Sequence, residues 1–121
     1  MIGHFSDEGA AKETLRLIET LREAVGRDPS MAEVPSGDRG FTPEMLDLLL
    51  KLKVHSLAPG EPEQFGYDYT ISRSKRDLTV STDEIDVLGI LKVMIDGGAR
   101  VEVYSAHHYP NLDAEGSSGA A

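Results

Sequence analysis

The sequence contains no cysteine and no apolar run that approaches the roughly 18 residues of a membrane-spanning helix. Without cysteine, disulfides, thiol catalysis and thiolate-bound metals are excluded. Residues 1–8 have neither the basic segment nor the apolar segment of a secretory signal. We therefore expect a cytoplasmic protein, of the kind found in bacterial cytosol.

Basic residues are few: 12 Lys and Arg stand against 21 Asp and Glu, which gives a net charge of −9. This balance argues against nucleic-acid binding, because phosphate contacts need a basic surface. It argues equally against binding to anionic membranes. A protein partner with a basic surface is compatible with it, although acids spread along the whole chain also serve solubility alone.

Motifs of catalysis are missing too. The sequence has no Gly-x-Ser-x-Gly elbow, no phosphate loop, no dinucleotide fingerprint and no His-Glu-x-x-His. We therefore assign no catalytic residue, no metal and no cofactor, and we expect a protein that is not an enzyme while leaving an activity open.

The length of 121 residues and the apolar fraction of 40% fit one folded domain. We place a single α/β domain at residues 1–112. The segment 113–121 is small and polar, and we expect it to be a disordered tail.

The first half of the chain reads as helices joined by loops. Its predicted elements are a strand over 1–5, a helix from a Ser6 cap to Gly26, a loop over 27–41 and a helix from a Thr42 cap to Lys53. Residues 54–57 form either a short strand or the last helical turn.

A hairpin is the clearest pattern in the second half. Apolar and polar residues alternate over 65–72 and again over 77–81, which predicts two half-buried strands. With Ser74-Lys75 as a two-residue turn, Ile71 faces Leu78 and Tyr69 faces Val80. A longer loop or a bulge remains open, because these are not the preferred turn residues.

After the hairpin, Ser81–Glu84 matches a capping box and predicts a helix over 83–96, which Gly97-Gly98 ends. A last strand follows over 100–106. The order β-α-α-β-β-α-β predicts an α+β fold, the ferredoxin-like split βαβ, with a four-stranded mixed or antiparallel sheet and helices on one face. The open face of the hairpin would be polar, with Asp68, Thr70, Ser72, Thr79 and Ser81.

Histidines offer one possible site. His4 approaches the end of the last strand in this fold, near His107, and Asp7 or Asp113 could complete a metal or acid–base site. The alternative is a set of histidines at a strand rim without a shared function, because no local spacing brings them together.

Two further clusters allow a functional and a structural interpretation. Tyr104, His107, His108 and Tyr109 form an aromatic group that either binds a partner or packs locally; we take it as the partner-binding site. Arg73, Lys75 and Arg76 at the hairpin tip either keep an edge strand soluble or contact a small anion or acidic partner. The carboxylates Asp83, Glu84 and Asp86 suit a helix amino terminus.

Together these features predict a small acidic, non-enzymatic protein-binding module of the inhibitor, antitoxin or immunity type. The expected partner is a protein with a basic surface, or a second copy bound through the open sheet face. The alternative is a small-ligand-binding or enzyme domain that uses this face as a pocket, with a His-based site.

Overall fold

The computed structural model describes residues 1–34, 40–84 and 86–104 of the chain. Within these ranges the fold is α+β, with three α-helices and four strands. They are β1 Ile2–His4, α1 Glu8–Arg27, α2 Pro43–Leu52, β2 Tyr69–Ser74, β3 Asp77–Thr82, α3 Leu88–Asp96 and β4 Arg100–Glu102. Two 3₁₀ turns, Pro29–Ala32 and Pro62–Gly66, lie in the connections.

The four strands form one sheet in the order β2-β3-β1-β4. All three pairings are antiparallel, so of the two predicted sheet types the antiparallel one is found. One row of paired residues crosses the whole sheet near the hairpin tip: Arg100, His4, Asp77 and Ser74. Side chains from both ends of the sequence therefore lie next to each other on one surface of the sheet.

One face of this sheet carries the core. The buried strand residues Tyr69, Leu78 and Val80 belong to the same cluster as Ile18 of α1 and Met94 of α3. Both helices therefore pack on the same side, because alternate strand residues point to one face.

The opposite face of the sheet is polar. Thr70, Ser72 and Ser81 are exposed there, and Thr79 is half-buried, which confirms the predicted hairpin alternation. Thr79 pairs with Ile2, so the side chains of Ile2 and His4 also lie on this face. We call it the open face.

Helix α1 begins one residue later than predicted. Asp7, rather than Ser6, is its cap: the Asp7 carboxylate accepts a hydrogen bond of 2.7 Å from the Ala10 amide. A carboxylate at this position also interacts favourably with the positive end of the helix dipole. The Thr42 cap of α2 is as predicted, with Thr42 Oγ1 accepting from the Met45 amide at 3.1 Å.

The hairpin register differs from the prediction by two residues. The turn is Lys75-Arg76, so Ile71 faces Val80 and Arg73 faces Leu78. A shift of two residues leaves every side chain on its predicted face, because the strand repeat is two. Lys75 adopts a φ of 56°. This is a left-handed conformation, which a lysine in the sequence does not predict.

Other predicted boundaries were wrong as well. Residues 62–66 form a 3₁₀ turn, so the strand begins at Tyr69 instead of Phe65. Ser81 and Thr82 extend β3, and α3 begins at Leu88, five residues after the predicted start. Residues 54–57 are neither strand nor helix, yet Val54 and Leu57 are buried in the core. Their burial explains the apolar pattern that suggested regular structure.

The last strand is shorter than the predicted 100–106, because β4 ends at Glu102 and the described residues Val103 and Tyr104 are not part of it. Residues 105–112, the end of the predicted domain, and 113–121, the predicted tail, lie outside the described residues. In the part of the chain that the structure describes, no helix combines the length and apolar character needed to cross a membrane.

Candidate functional site

Four side chains on the open face form a continuous chain of hydrogen bonds across three strands. His4 Nδ1 lies 2.9 Å from Asp77 Oδ1 on β3, and His4 Nε2 lies 3.0 Å from Glu102 Oε1 on β4. The Tyr104 hydroxyl donates to the same Glu102 oxygen at 3.0 Å. We call these four residues the His4 bridge.

The protonation of the His4 bridge follows from its geometry. Carboxylate oxygens only accept hydrogen bonds, so an imidazolium, with a donor on each nitrogen, satisfies both neighbours at once. The hydrogen bond to Glu102, followed by the one to Asp77, raises the pKa of His4 above its ordinary value. Correspondingly, the bonds from His4 and then Tyr104 lower the pKa of Glu102.

This arrangement limits the chemistry of His4. A general base or a metal ligand needs a ring nitrogen with a free lone pair, and both nitrogens of His4 face carboxylates. Among the described residues, no group of three or more His, Asp or Glu side chains could hold a metal ion. The His4 bridge is therefore an electrostatic link between strands.

The structure places none of the predicted partners beside His4 within the described residues. The prediction that His4 approaches the end of the last strand was wrong, because His4 pairs with Arg100 at the start of β4. His4 contacts Asp77 and Glu102, which the sequence analysis had not paired with it, while Asp7 caps α1. His107 and Asp113 lie outside the described residues. The missing signal is the register, because antiparallel pairing sets His4, at the end of β1, beside the first residues of β3 and β4.

Of the four predicted partner-binding residues, the structure describes only Tyr104. Its side chain is 64% exposed just after the edge strand β4, and the hydrogen bond to Glu102 raises the pKa of its hydroxyl. His107, His108 and Tyr109 lie outside the described residues, so the aromatic site stays a prediction with one accessible member.

A second polar region lies at the opposite end of the hairpin, around Tyr67. Tyr69 pairs with Thr82, so the residues that precede β2 meet those that follow β3. Five exposed carboxylates belong to this region, which we call the acidic end: Glu63, Asp68, Asp83, Glu84 and Asp86. Because α3 starts only at Leu88, Asp83, Glu84 and Asp86 do not form its first turn as predicted.

The negative charges of the acidic end affect the hydroxyl of Tyr67. Its ring is half-buried, and burial, followed by the negative charges of Glu63, Asp86 and Glu84, raises the pKa of its hydroxyl. Beside it is an open depression of about 310 Å³ whose lining includes Tyr67, Glu63 and Glu33. Sequence reasoning missed this grouping because the predicted register set Asp68 opposite Ser81, whereas the observed pairing of Tyr69 with Thr82 places Asp68 beside the residues that follow β3.

Of three comparisons with known proteins, one identifies a family and two find no match. No curated protein and no solved structure matches the chain. A model described as a family of unknown function, DUF6375, matches residues 1–117. The chain therefore belongs to the DUF6375 family.

Proposed function

We propose that the protein is a non-enzymatic binding module for a protein partner with a basic surface, in the manner of an inhibitor, antitoxin or immunity protein of bacterial cytosol. The observation that carries the proposal is the acidic end, which has five exposed carboxylates, three of which, Glu63, Glu84 and Asp86, act on the half-buried Tyr67. Clustered charge of one sign attracts an oppositely charged partner and orients it during encounter.

The carboxylates of the acidic end are available for such a contact. None of Glu63, Asp83 and Glu84 makes a side-chain ion pair with a described residue, whereas Glu8 binds Arg73 and Glu61 binds Lys92. Negative charge without a local counterion repels itself, and a basic partner relieves that repulsion.

The shape beside Tyr67 fits a long basic side chain. The depression of about 310 Å³ presents an aromatic ring together with Glu33 and Glu63. A Lys or Arg side chain can stack on the ring face while its charge meets the carboxylates. Tyr104 and the predicted residues His107, His108 and Tyr109 would supply a second, aromatic contact.

We also infer that the chain has the ferredoxin-like split βαβ arrangement. The support is the strand order β2-β3-β1-β4 with only antiparallel pairings, and the placement of α1 and α3 in the two crossovers. Under this inference α2 is an insertion before β2. The alternative function, a ligand or enzyme domain with a His-based site, has less support because both nitrogens of His4 are engaged.

The test starts from a partner captured from native cells and then purified. Association with the wild type is measured by surface plasmon resonance from low to high salt. The double variant Glu63→Gln/Glu84→Gln is expected to slow association about tenfold at low salt and to flatten the salt dependence.

The matched control is Glu8→Gln/Glu13→Gln, which removes the same charge from the first turns of α1, far from Tyr67. If the control slows association as much as the first variant, net charge alone attracts the partner and the acidic end is not the contact. Tyr67→Ala should increase the dissociation rate, while Tyr67→Phe should not, because the ring face makes the contact.

A further inference from the structure

An open depression of about 500 Å³ lies at the hairpin end of the sheet, opposite to the acidic end. It occupies the point where β1 ends and β3 and β4 begin. Its lining residues are His4, Phe5, Ser6, Arg76, Asp77, Gly98 and Arg100. We call it the basic depression, since three of its seven residues carry or can carry positive charge.

The two arginines of the basic depression, Arg76 and Arg100, make few hydrogen bonds with the described residues. Arg100 makes no side-chain hydrogen bond or ion pair with any residue in the described ranges. The Arg76 guanidinium donates one long bond, of 3.4 Å, to the Ser6 carbonyl oxygen. By contrast, Arg73 on the same hairpin binds Glu8 at 3.2 Å. Arg100 acts on a carboxylate only through its charge, which helps to lower the pKa of Glu102. On a chain with a net charge of −9, two guanidinium groups that form no ion pair with a described carboxylate make this region locally positive.

Asp77 does not neutralise these charges. Its Oδ1 atom faces His4 Nδ1 at 2.9 Å, so its charge is directed to the His4 bridge. The hydrogen bonds that raise the pKa of His4 keep that ring cationic nearer to neutral pH. When His4 is protonated, three cations therefore lie beside two carboxylates, Asp77 in the lining and Glu102 next to it in the His4 bridge.

We propose that the basic depression binds the phosphoryl group of a small ligand. Two guanidinium forks offer paired N–H donors, which match the geometry of phosphate oxygens. The volume of about 500 Å³ is that of a small-molecule site, larger than a lone phosphate ion requires. The Ser6 hydroxyl in the lining adds a neutral donor.

The rim of the basic depression is open at Gly98. This residue has a φ of 100°, and no atom lies within 4 Å of where a Cβ would stand. A ligand that extends beyond its phosphoryl group can leave the depression there without displacing a side chain. A phosphomonoester should therefore bind at least as well as inorganic phosphate.

The test is an amide NMR titration of the full chain with inorganic phosphate and with glycerol 2-phosphate, at an ionic strength kept constant with sodium chloride. Shifts should concentrate at Phe5, Ser6, Arg76, Gly98 and Arg100 and leave the amides around Tyr67 unchanged. Arg100→Gln and Arg76→Gln should each weaken binding of glycerol 2-phosphate by about tenfold.

The matched control is Arg27→Gln, which removes the same charge at the far end of α1, about 30 Å along the helix axis. It should change affinity less than twofold. Affinity that survives Arg100→Gln and Arg76→Gln, or shifts spread evenly over both ends of the sheet, would overturn the site. Tight binding of a phosphoserine peptide without binding of either small probe would overturn the assignment to a small ligand.

Discussion

His4 Nε2 lies 3.0 Å from Glu102 Oε1, although 98 residues separate the two in the chain. The bond joins the central strand β1 to the edge strand β4, and the second bond, to Asp77, joins β1 to β3. Both side chains are partly exposed, His4 by 30% and Glu102 by 47%. The pair therefore links folding stability to pH from a solvent-accessible position.

The first prediction concerns this linkage. The pKa of His4 is raised above 6.5, so its stabilising contribution is complete below pH 6.5 and is lost as pH rises through the folded value. The pKa of Glu102 is lowered from 4.5, so its contribution is complete above pH 4.5 and is lost on acidification. The difference in unfolding free energy between wild type and His4→Gln should therefore be largest between pH 4.5 and 6.5.

Urea unfolding at a series of pH values measures this difference. His55→Gln is the control, because His55 is exposed and has no ion pair with any described residue. Its pH profile shows the effect of removing a histidine outside the His4 bridge. A profile for His4→Gln that matches it would show that the His4 bridge does not contribute to stability in solution.

Sequence patterns reached the faces of the hairpin but not its register. Alternation fixes which residues point inward, and a shift of two residues leaves that unchanged. What decides the register is a turn with Lys75 at positive φ, held where the Arg73 guanidinium donates to the Lys75 carbonyl oxygen at 2.9 Å. Neither a lysine nor an arginine at these positions predicts such a turn.

Sequence patterns also placed the start of α3 wrongly. The capping-box residues of 81–84 have another use: the Thr82 hydroxyl donates to the Asp68 carbonyl oxygen at 2.8 Å and accepts from the Glu84 amide at 3.0 Å. Tertiary pairing thus overrode a local signal. The His4 bridge was beyond sequence reasoning for a related reason, since its three strands are distant in the chain.

The second prediction concerns the partly buried ion pair between Lys92 and Glu61. Lys92 Nζ lies 2.9 and 3.0 Å from the two Glu61 oxygens, and the Glu61 side chain is only 12% exposed. Lys92→Met keeps the aliphatic stem but leaves a buried carboxylate without its cation, so we expect a loss of about 2 kcal/mol. Chemical unfolding at neutral pH measures it.

Lys51→Met is the matched control for this pair. Lys51 binds Asp47 at 3.4 Å, but both side chains are about 70% exposed, so the loss should stay below about 0.5 kcal/mol. The double variant Lys92→Met/Glu61→Gln should recover part of the lost stability, because it removes the orphaned charge. Equal losses in the two lysine variants would contradict the prediction.

The third prediction concerns Tyr69 at alkaline pH. Burial raises the pKa of Tyr69 to about 12, against the smaller opposing effect of Arg22, whose guanidinium lies 4.1 Å from the ring centroid. The unfolded chain releases this proton near pH 10, so stability is complete below pH 10 and declines toward pH 12.

Tyr69→Phe isolates this effect, since it keeps the ring and removes only the hydroxyl, which donates to the Phe65 carbonyl oxygen at 3.0 Å. The variant should lose about 1 kcal/mol at neutral pH. That deficit should shrink as the pH rises from 10 to 12, because only the wild type pays for keeping the phenol protonated. A deficit that stays constant would mean that Tyr69 titrates normally.

The fourth prediction concerns the close approach of α1 to the end of α3. A Cβ on Gly97 would collide with Thr14 Oγ1 and would stand 3.2 Å from Phe5 Cε2. Gly97 has an ordinary φ of −76°, so space rather than backbone conformation requires glycine here. Gly97→Ala should therefore cost about 1–3 kcal/mol.

A double-mutant cycle identifies Thr14 as the cause. Thr14→Ala should relieve the clash, so that the double variant is more stable than additivity predicts by about 1 kcal/mol. Thr14→Val keeps the shape of the side chain and should give no such relief. Gly26→Ala is the control for glycine replacement: nothing lies within 4 Å of its Cβ position in α1, so stability should rise by about 0.5–1 kcal/mol. Additive losses at Gly97 and Thr14 would place the clash elsewhere, against Phe5.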